Sequence, residues 1–264
     1  MERLVVIPEV FDAQKELYLI DTNTFHEWAE QRLTHRSRNL LDVAGVMDRP
    51  DAESIPNPQH ARIRQLVVNV MVFELPDDIY DDIQKSNHPN HLMTVVSNAQ
   101  LLGTMKLPQS GESRLVGKLA SGLGGHVDES DWLKEDRTID DVLRRAMVRE
   151  LCDEELSTDN YQAFCDYVEY RTEPLAVLNS NFGEVESVHI GFVSVLALPK
   201  RANVRVHEVE KLETIWVPLV GFKNELQMFW EQRDGHKKLD RWTQLLFGRI
   251  ELNWFMKKLV ASIQ

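Results

Sequence analysis

Residues 139–154 read IDDVLRRAMVRELCDE, and their spacing decides the fold. Thr138 stands just before them and Asp141 three positions later, the pattern of a capping box with an aspartate in its last place. The stretch therefore predicts a helix over 139–156. On a wheel of about 100° per residue, Ile139, Val142, Leu143, Ala146 and Met147 share one apolar face. Glu150 then falls at roughly 20° from Ile139, Glu154 at roughly 60° and Asp153 at roughly 320°. Three carboxylates thus continue the face that should point inward. Isolated buried carboxylates are costly and neighbouring ones repel, so a positive group is expected among them. A hard divalent cation suits several carboxylate oxygens better than Arg149, which lies about 80° from the centre of that face. The competing reading is that the apolar face ends at Met147 and the charges beyond it are solvated.

Upstream lies SGLGGHVD at 121–128. Gly124 and Gly125 would let backbone groups approach a metal or a phosphate closely. A glycine pair, a charged loop (ESDWLKEDR) and a helix carrying Arg-Glu-x-x-Asp-Glu form a more specific arrangement than any one of these parts.

Further out, RQLVVNVMVFEL from 64 reads as a buried strand. MTVVSNA (93–99) reads as a second strand, and LLGTMKL (101–107) as its continuation. Residues 3–7, 118–128 in part, 187–198, 203–209 and 215–219 carry extended patterns. Helices are expected near 23–33, at 223–232 and at 238–263, the last interrupted near Gly248. The segment 48–61 carries three prolines and reads as a loop. Strands and helices mix without regular alternation, which predicts an α/β sandwich rather than a doubly wound sheet.

Composition narrows the function. The chain has 264 residues and a net charge of -12. Such a charge disfavours nucleic acid as a partner, yet a bound divalent metal can still make one pocket attractive to a small anion. The apolar runs LVVNVMVF (66–73) and GFVSVLAL (191–198) are too short to span a bilayer, and no membrane association is expected. The two cysteines, Cys152 and Cys165, are no disulfide framework. With no secretory leader read at the start, a reducing, cytoplasmic location is the expectation.

The quoted residues resemble the signature of the Nudix family. That signature has a glycine, an acid, then Arg-Glu, an apolar residue, any residue, and two acids. Here these are Gly125, Asp141 and Arg149-Glu150-Leu151-Cys152-Asp153-Glu154. SGLGGHVD and VHIGFVSV (188–195) are similar to a branch of Nudix-type phosphoesterases, and KLETIWVPL (211–219) to a strand that follows the signature in the family. The resemblance covers about 64–220. The chain departs from it in three places. Fifteen residues separate Gly125 from Asp141, where the family has a short spacer. Aspartates replace glutamates at 141 and 153. Leu156 stands where the family usually has glycine.

The resemblance implies a single domain over 1–264. Its core is about 62–220, a Nudix-like α/β/α sandwich with a mixed sheet, elaborated by an N-terminal extension (1–61) and a C-terminal helical segment (221–264). It also implies a hydrolase that cleaves a diphosphate linkage in a small phosphorylated substrate, with Mg²⁺ or Mn²⁺ as cofactor. Gly124 (through its carbonyl), Glu150, Asp153 and Glu154 would hold the metal. Glu150 and Glu154 are also the catalytic candidates on the helix, and Glu184 or Glu186 would add a general base from a later loop. Arg149, pairing with Asp141 or a metal-bound carboxylate, and His126 and Lys118 are the substrate-side candidates, with Arg114 beside Lys118. His189 reads as a core histidine, and Trp216, Trp242 and Trp254 as core aromatics. The helix around Trp242, Leu245, Leu246 and Ile250 has spacing suited to packing on the core or on a twin subunit, so a homodimer fits. The alternative function is a catalytically weak or inactive Nudix-like module that senses a ligand or binds a partner. An isopentenyl-diphosphate isomerase-like reading would need an active-site cysteine. Cys152 points away on the wheel, and Cys165 lies beyond the helix.

Overall fold

The computed structural model describes residues 3–8, 19–21, 44–48, 63–86, 91–110, 116–179, 188–207, 209, 211–220, 239–240, 242–243, 246 and 252–264. The expected helices near 23–33 and at 223–232, the proline-bearing loop and most of 238–251 lie outside these residues. So do Arg114, Glu184 and Glu186. The chain forms two compact units. One comprises Met1–Asn69, Gly124–Arg149 and Glu173–Ser194. The other comprises Val70–Leu123, Glu150–Thr172 and Val195–Gln264.

The fold is α/β, with an antiparallel sheet and several helices. In the first unit, β1 (Arg3–Pro8) pairs antiparallel with β3 (Gly45–Asp48) and with the start of β4 (Ile63–Leu75). The short β2 (Leu19–Asp21) pairs with β8 (Ala176–Asn179), which pairs with β9 (His189–Pro199) in the register Ala176↔Val193 to Asn179↔Ile190. In the second unit, β5 (Gln100–Lys106) lies between β11 (Leu212–Pro218) and the end of β4, with β6 (Leu119–Ala120) also on β5. The strand order is β11-β5-β4-β9-β8-β2. A separate ribbon joins β7 (Leu156–Ser157) to β10 (Arg205–Val206). Parallel bridges at Lys106↔Val116 and Leu119↔Leu239 add to the antiparallel ladders. β4 reads as a nearly unbroken apolar run because its side chains are buried on both faces: Leu66, Val68, Val70, Met71, Val72 and Phe73 are all inaccessible or nearly so.

The helices are α1 (Asp77–Lys85), α2 (His91–Asn98), α3 (Ile139–Val148), α4 (Tyr161–Arg171) and α5 (Leu252–Ile263). α2 corrects the strand expected at 93–99. Thr94, Val95 and Val96 favour extended backbone, but β-propensity is decided by packing partners. Here His91 and Val95, one helical turn apart, are buried, and α2 packs on α5 and α1. His91 Nε2 also lies 2.8 Å from the Ser86 carbonyl, fixing the start of the helix. Among the described residues of 203–209 Arg205–Val206 is strand, and a left-handed Asn203 (φ 49°) turns the chain just before it. Among the described residues no helix is long and apolar enough to cross a membrane.

Candidate functional site

The expected helix starts as its sequence requires. Thr138 Oγ1 accepts from the Asp141 backbone N–H, and Asp141 Oδ2 accepts from the Thr138 N–H at 2.9 Å. Ile139, Val142, Leu143, Ala146 and Met147 are all fully buried. Bonded to the Thr138 backbone first, and to the Thr138 hydroxyl, the Asp141 carboxyl is held below the usual carboxylate range. That engagement corrects one expectation: Arg149 does not pair with Asp141. Its guanidinium makes a fork on Asp131, with Nη2 at 2.9 Å from Oδ2 and Nε at 3.1 Å from Oδ1. The same Nη2 donates to the His126 carbonyl at 2.8 Å and lies 3.8 Å from Asp128. Asp131 is buried and closes the short turn Glu129–Asp131 by accepting from the Asp128 N–H at 2.8 Å. Arg145 adds a bond to the Asp131 carbonyl at 2.8 Å and an ion pair with Asp136. The long insertion after Gly125 is thus latched by two arginines, Arg145 in α3 and Arg149 just past its end.

Gly124 occupies the close backbone approach foreseen for a glycine, but its neighbour is a strand. Its φ is +144°, and a Cβ there would sit 2.1 Å from the Val68 carbonyl oxygen. The stretch after it runs along β4. The Val68 N–H donates to the Gly125 carbonyl at 3.0 Å, and the Val127 N–H to the Leu66 carbonyl at 2.9 Å. His126 and His189 meet at 3.0 Å between their Nε2 atoms, so one ring presents N–H and the other a bare nitrogen. His189, expected in the core, is buried.

Past Val148 the helix changes. Arg149–Glu155 is a π-helix, in which N–H groups bond five residues back. Leu151 and Cys152 are fully buried and Glu150 nearly so, while Asp153 and Glu154 are exposed. The expected inward triad is therefore one buried acid followed by two surface acids. Asp153 Oδ1 accepts from the Tyr161 hydroxyl. Lys118, half-buried, lies just before β6.

The exposed donors of this segment, Asp153 and Glu154, are oxygens only, as Mg²⁺ and Mn²⁺ prefer. Among the described residues no three His, Cys, Asp or Glu side chains converge as a ready-made cage. Mg²⁺ does not require one, since it keeps several waters and uses one or two carboxylates plus substrate phosphates. Asp153 and Glu154, adjacent and exposed, fit that lighter requirement.

Sequence reasoning missed several groups in the second unit. Cys152 and Cys165 are both free, the first buried and the second partly exposed. Burial, with Cys165 beside it, pushes the Cys152 thiol well above its usual range. Tyr167 donates to the Ala197 carbonyl at 2.6 Å, so the Tyr80 hydroxyl, 2.5 Å away, donates to Tyr167. Burial raises both phenols. Tyr80 and Tyr167 border a cleft of about 370 Å³ with Phe164, Leu198, Asn160 and Arg201. Nothing in the residue pattern signalled the cleft, because α1 and α4, which supply much of it, carry no motif.

No family model matches the chain. Protein YmaB of Bacillus subtilis (strain 168) is 29% identical over 147 residues, 55% of this chain. The match covers 62% of that protein, so the chain spans less than two thirds of its length. The crystal structure of Tm1382, described as "a putative Nudix hydrolase", superposes with a TM-score of 0.51 at 18% identity, over 92% of this chain and 95% of that one. The fold is thus Nudix-like.

Proposed function

We propose that this chain is a divalent-metal-dependent hydrolase that cleaves a phosphoanhydride linkage in a small phosphorylated substrate. The observation that carries the reading is the π-helical segment. It anchors Leu151 and Cys152 in the core and presents Asp153 and Glu154 side by side at the surface, on a Nudix-like fold. π-turns inside helices recur at functional sites because they re-aim side chains at a cost that a purely structural helix would avoid. In this reading Asp153 and Glu154 hold Mg²⁺ or Mn²⁺, and Glu150 supports them from the buried side. The metal would neutralise phosphate charge and acidify a water. The Tyr161 hydroxyl fixes one Asp153 oxygen and leaves the other for the ion. Lys118 and His126 are proposed for substrate phosphate, and Glu184 or Glu186 for the general base. Losing that base should lower kcat roughly 100-fold.

The test is a panel of phosphoanhydrides with Mg²⁺ or Mn²⁺, read by phosphate or pyrophosphate release, together with Mn²⁺ binding. Turnover by the wild type and its loss in Glu154→Gln are expected. No turnover of any compound, with equal Mn²⁺ binding by both proteins, would overturn the reading. The engagement of Asp153 by Tyr161 favours a second reading, a ligand-sensing module without turnover. That module would bind members of the panel and leave them intact.

A further inference from the structure

We propose that the cleft between α1, α4 and the end of β9 is a binding site for a neutral, planar two-ring aromatic molecule carrying one N–H or O–H, the chemistry of an indole. Every residue that lines it belongs to the second unit, and none belongs to the segment proposed to hold metal. Its walls are Tyr80 from α1, Phe164 and Tyr167 from α4, and Leu198 and Pro199 from β9. Aromatic rings pack against one another edge to face or offset, so three rings in the walls select a flat aromatic guest over a branched aliphatic one. Size sets the number of rings. A cavity of about 150 Å³ accepts benzene, and this cleft, at about 370 Å³, has room for two fused rings.

The charge pattern disfavours an ionic guest. Among the described residues the lining contains two ionic side chains, Arg201 and Asp159, and each already has partners outside the cleft. Arg201 Nη2 lies 2.6 Å from Asp81, and Nη1 lies 3.8 Å from Asp77. Asp159 lies 3.4 Å from Arg205 Nη2 and accepts from the Asn203 amide at 3.1 Å. An anion or a cation in the cleft would have to compete with these pairs and give up its own water. Gln84 and Thr158, also in the lining, are polar and uncharged.

A hydrogen count at the tyrosine pair gives the guest its polar edge. The Tyr167 hydrogen goes to the Ala197 carbonyl, and the Tyr80 hydrogen goes to the Tyr167 oxygen. Both hydroxyls have therefore spent their hydrogens. The Tyr80 oxygen receives no donor from the described residues and keeps its acceptor capacity. A guest that bonds to it must donate. Indole has a flat apolar body of two rings and a single N–H at its edge, so it meets the demands of shape, charge and hydrogen bonding together.

The full chain would be titrated with indole, N-methylindole and N-methylquinolinium, each followed by ligand-observed NMR and calorimetry. Indole should saturate one site at or below about 1 mM, within reach of a ligand of its size. N-methylindole, which cannot donate, should bind roughly tenfold more weakly. N-methylquinolinium, flat but cationic, should bind roughly tenfold more weakly or not at all. Tyr80→Phe should bring indole down to the affinity of N-methylindole and leave N-methylindole nearly unchanged. Ala163→Trp, at an exposed position of α4 that lines the cleft, should abolish indole binding while thermal unfolding stays near that of the wild type. Failure of indole to saturate, equal affinity for indole and its methyl derivative, or a cation bound as tightly as indole would each overturn the proposal. So would full indole binding by folded Ala163→Trp. The ratio between the two indoles on the wild type decides the hydrogen-bond assignment even where Tyr80→Phe fails to fold.

Discussion

The two halves of the 139–155 helix behave differently. The first half, with the loop before it, is over-determined. Its cap is reciprocal, its inward residues are fully buried, and Arg145 and Arg149 bind the preceding insertion through Asp131 and Asp136. The second half keeps its apolar anchors, Leu151 and Cys152, but turns two carboxylates out to solvent. In the first half polar residues are consumed by structure, and in the second Asp153 and Glu154 are exposed. Substitutions in the first half should therefore cost stability, and those at the exposed acids should leave stability nearly intact.

The largest expected effect is at Gly124. Gly124→Ala puts a Cβ where the Val68 carbonyl oxygen already sits, at a φ that side chains rarely adopt. Because two backbones meet there, neither can move away cheaply. A loss of about 3 kcal/mol or more in urea unfolding is expected. A loss below about 1 kcal/mol would show that the loop does not need the close approach.

Arg149→Met comes next. It leaves Asp131, a buried carboxylate, without the fork that holds it. Breaking a fully buried pair costs about 3–5 kcal/mol, and the partial exposure of Arg149 reduces that to about 2–3 kcal/mol. Adding Asp131→Asn should recover part of the loss, since no buried charge then remains. Equal stability of the single and double variants would mean that the pair is not coupled.

Much of this was legible in the sequence, for physical reasons that also mark its limits. The cap and the apolar face follow from local rules, and both are present; the glycine pair was read as an approach to a metal or phosphate, whereas Gly124 lies against Val68 of β4. β4, β5, β9 and β11 were readable from their apolar runs. α2 was not, because Thr94, Val95 and Val96 favour a strand in isolation and became helical through packing against distant α5. The partner of Arg149 was misassigned because Asp131 sits in a charged run that reads as solvated. What buries it is the fold-back of the insertion, which no spacing records. The carboxylates were misplaced because a wheel gives direction around a helix but not where along it the core ends: Leu151 and Cys152 are buried, while Asp153 and Glu154 are exposed. α4, which carries Cys165, was not read as a helix.

Of smaller size is the capping box. Thr138→Ala should cost about 1 kcal/mol. Asp141→Asn should cost about 0.5 kcal/mol near neutral pH, since a carboxylate in the first turn also favours the helix dipole. The sign with pH is fixed by the depressed Asp141 value, whose first cause is the Thr138 backbone bond. A carboxyl held lower in the folded chain than in the unfolded one adds stability above the unfolded value. That stability is lost as pH falls through the folded value. The gap between wild type and Asp141→Asn should therefore close in acid. A gap that stays constant would place the Asp141 effect in neutral hydrogen bonding alone.

The smallest expected effect on stability is at Glu154, and it tests the comparison most sharply. Glu154 is exposed and stands between Asp153 and Glu155 in a run of three acids. Removing one charge from such a run relieves repulsion, and exposed substitutions usually stay within about 0.5 kcal/mol. Glu154→Gln should thus unfold within about 0.5 kcal/mol of the wild type, on the stable side if repulsion dominates. Raising salt should shrink that difference, because charges facing solvent are screened. If Glu154→Gln instead loses more than about 1 kcal/mol, Glu154 is consumed by structure as Asp141 is, and the division between the two halves of the helix fails there. If stability holds while Mn²⁺ binding falls, the outward turn of the π-helix has a chemical purpose, and the carboxylates kept out of the core are the ones at work.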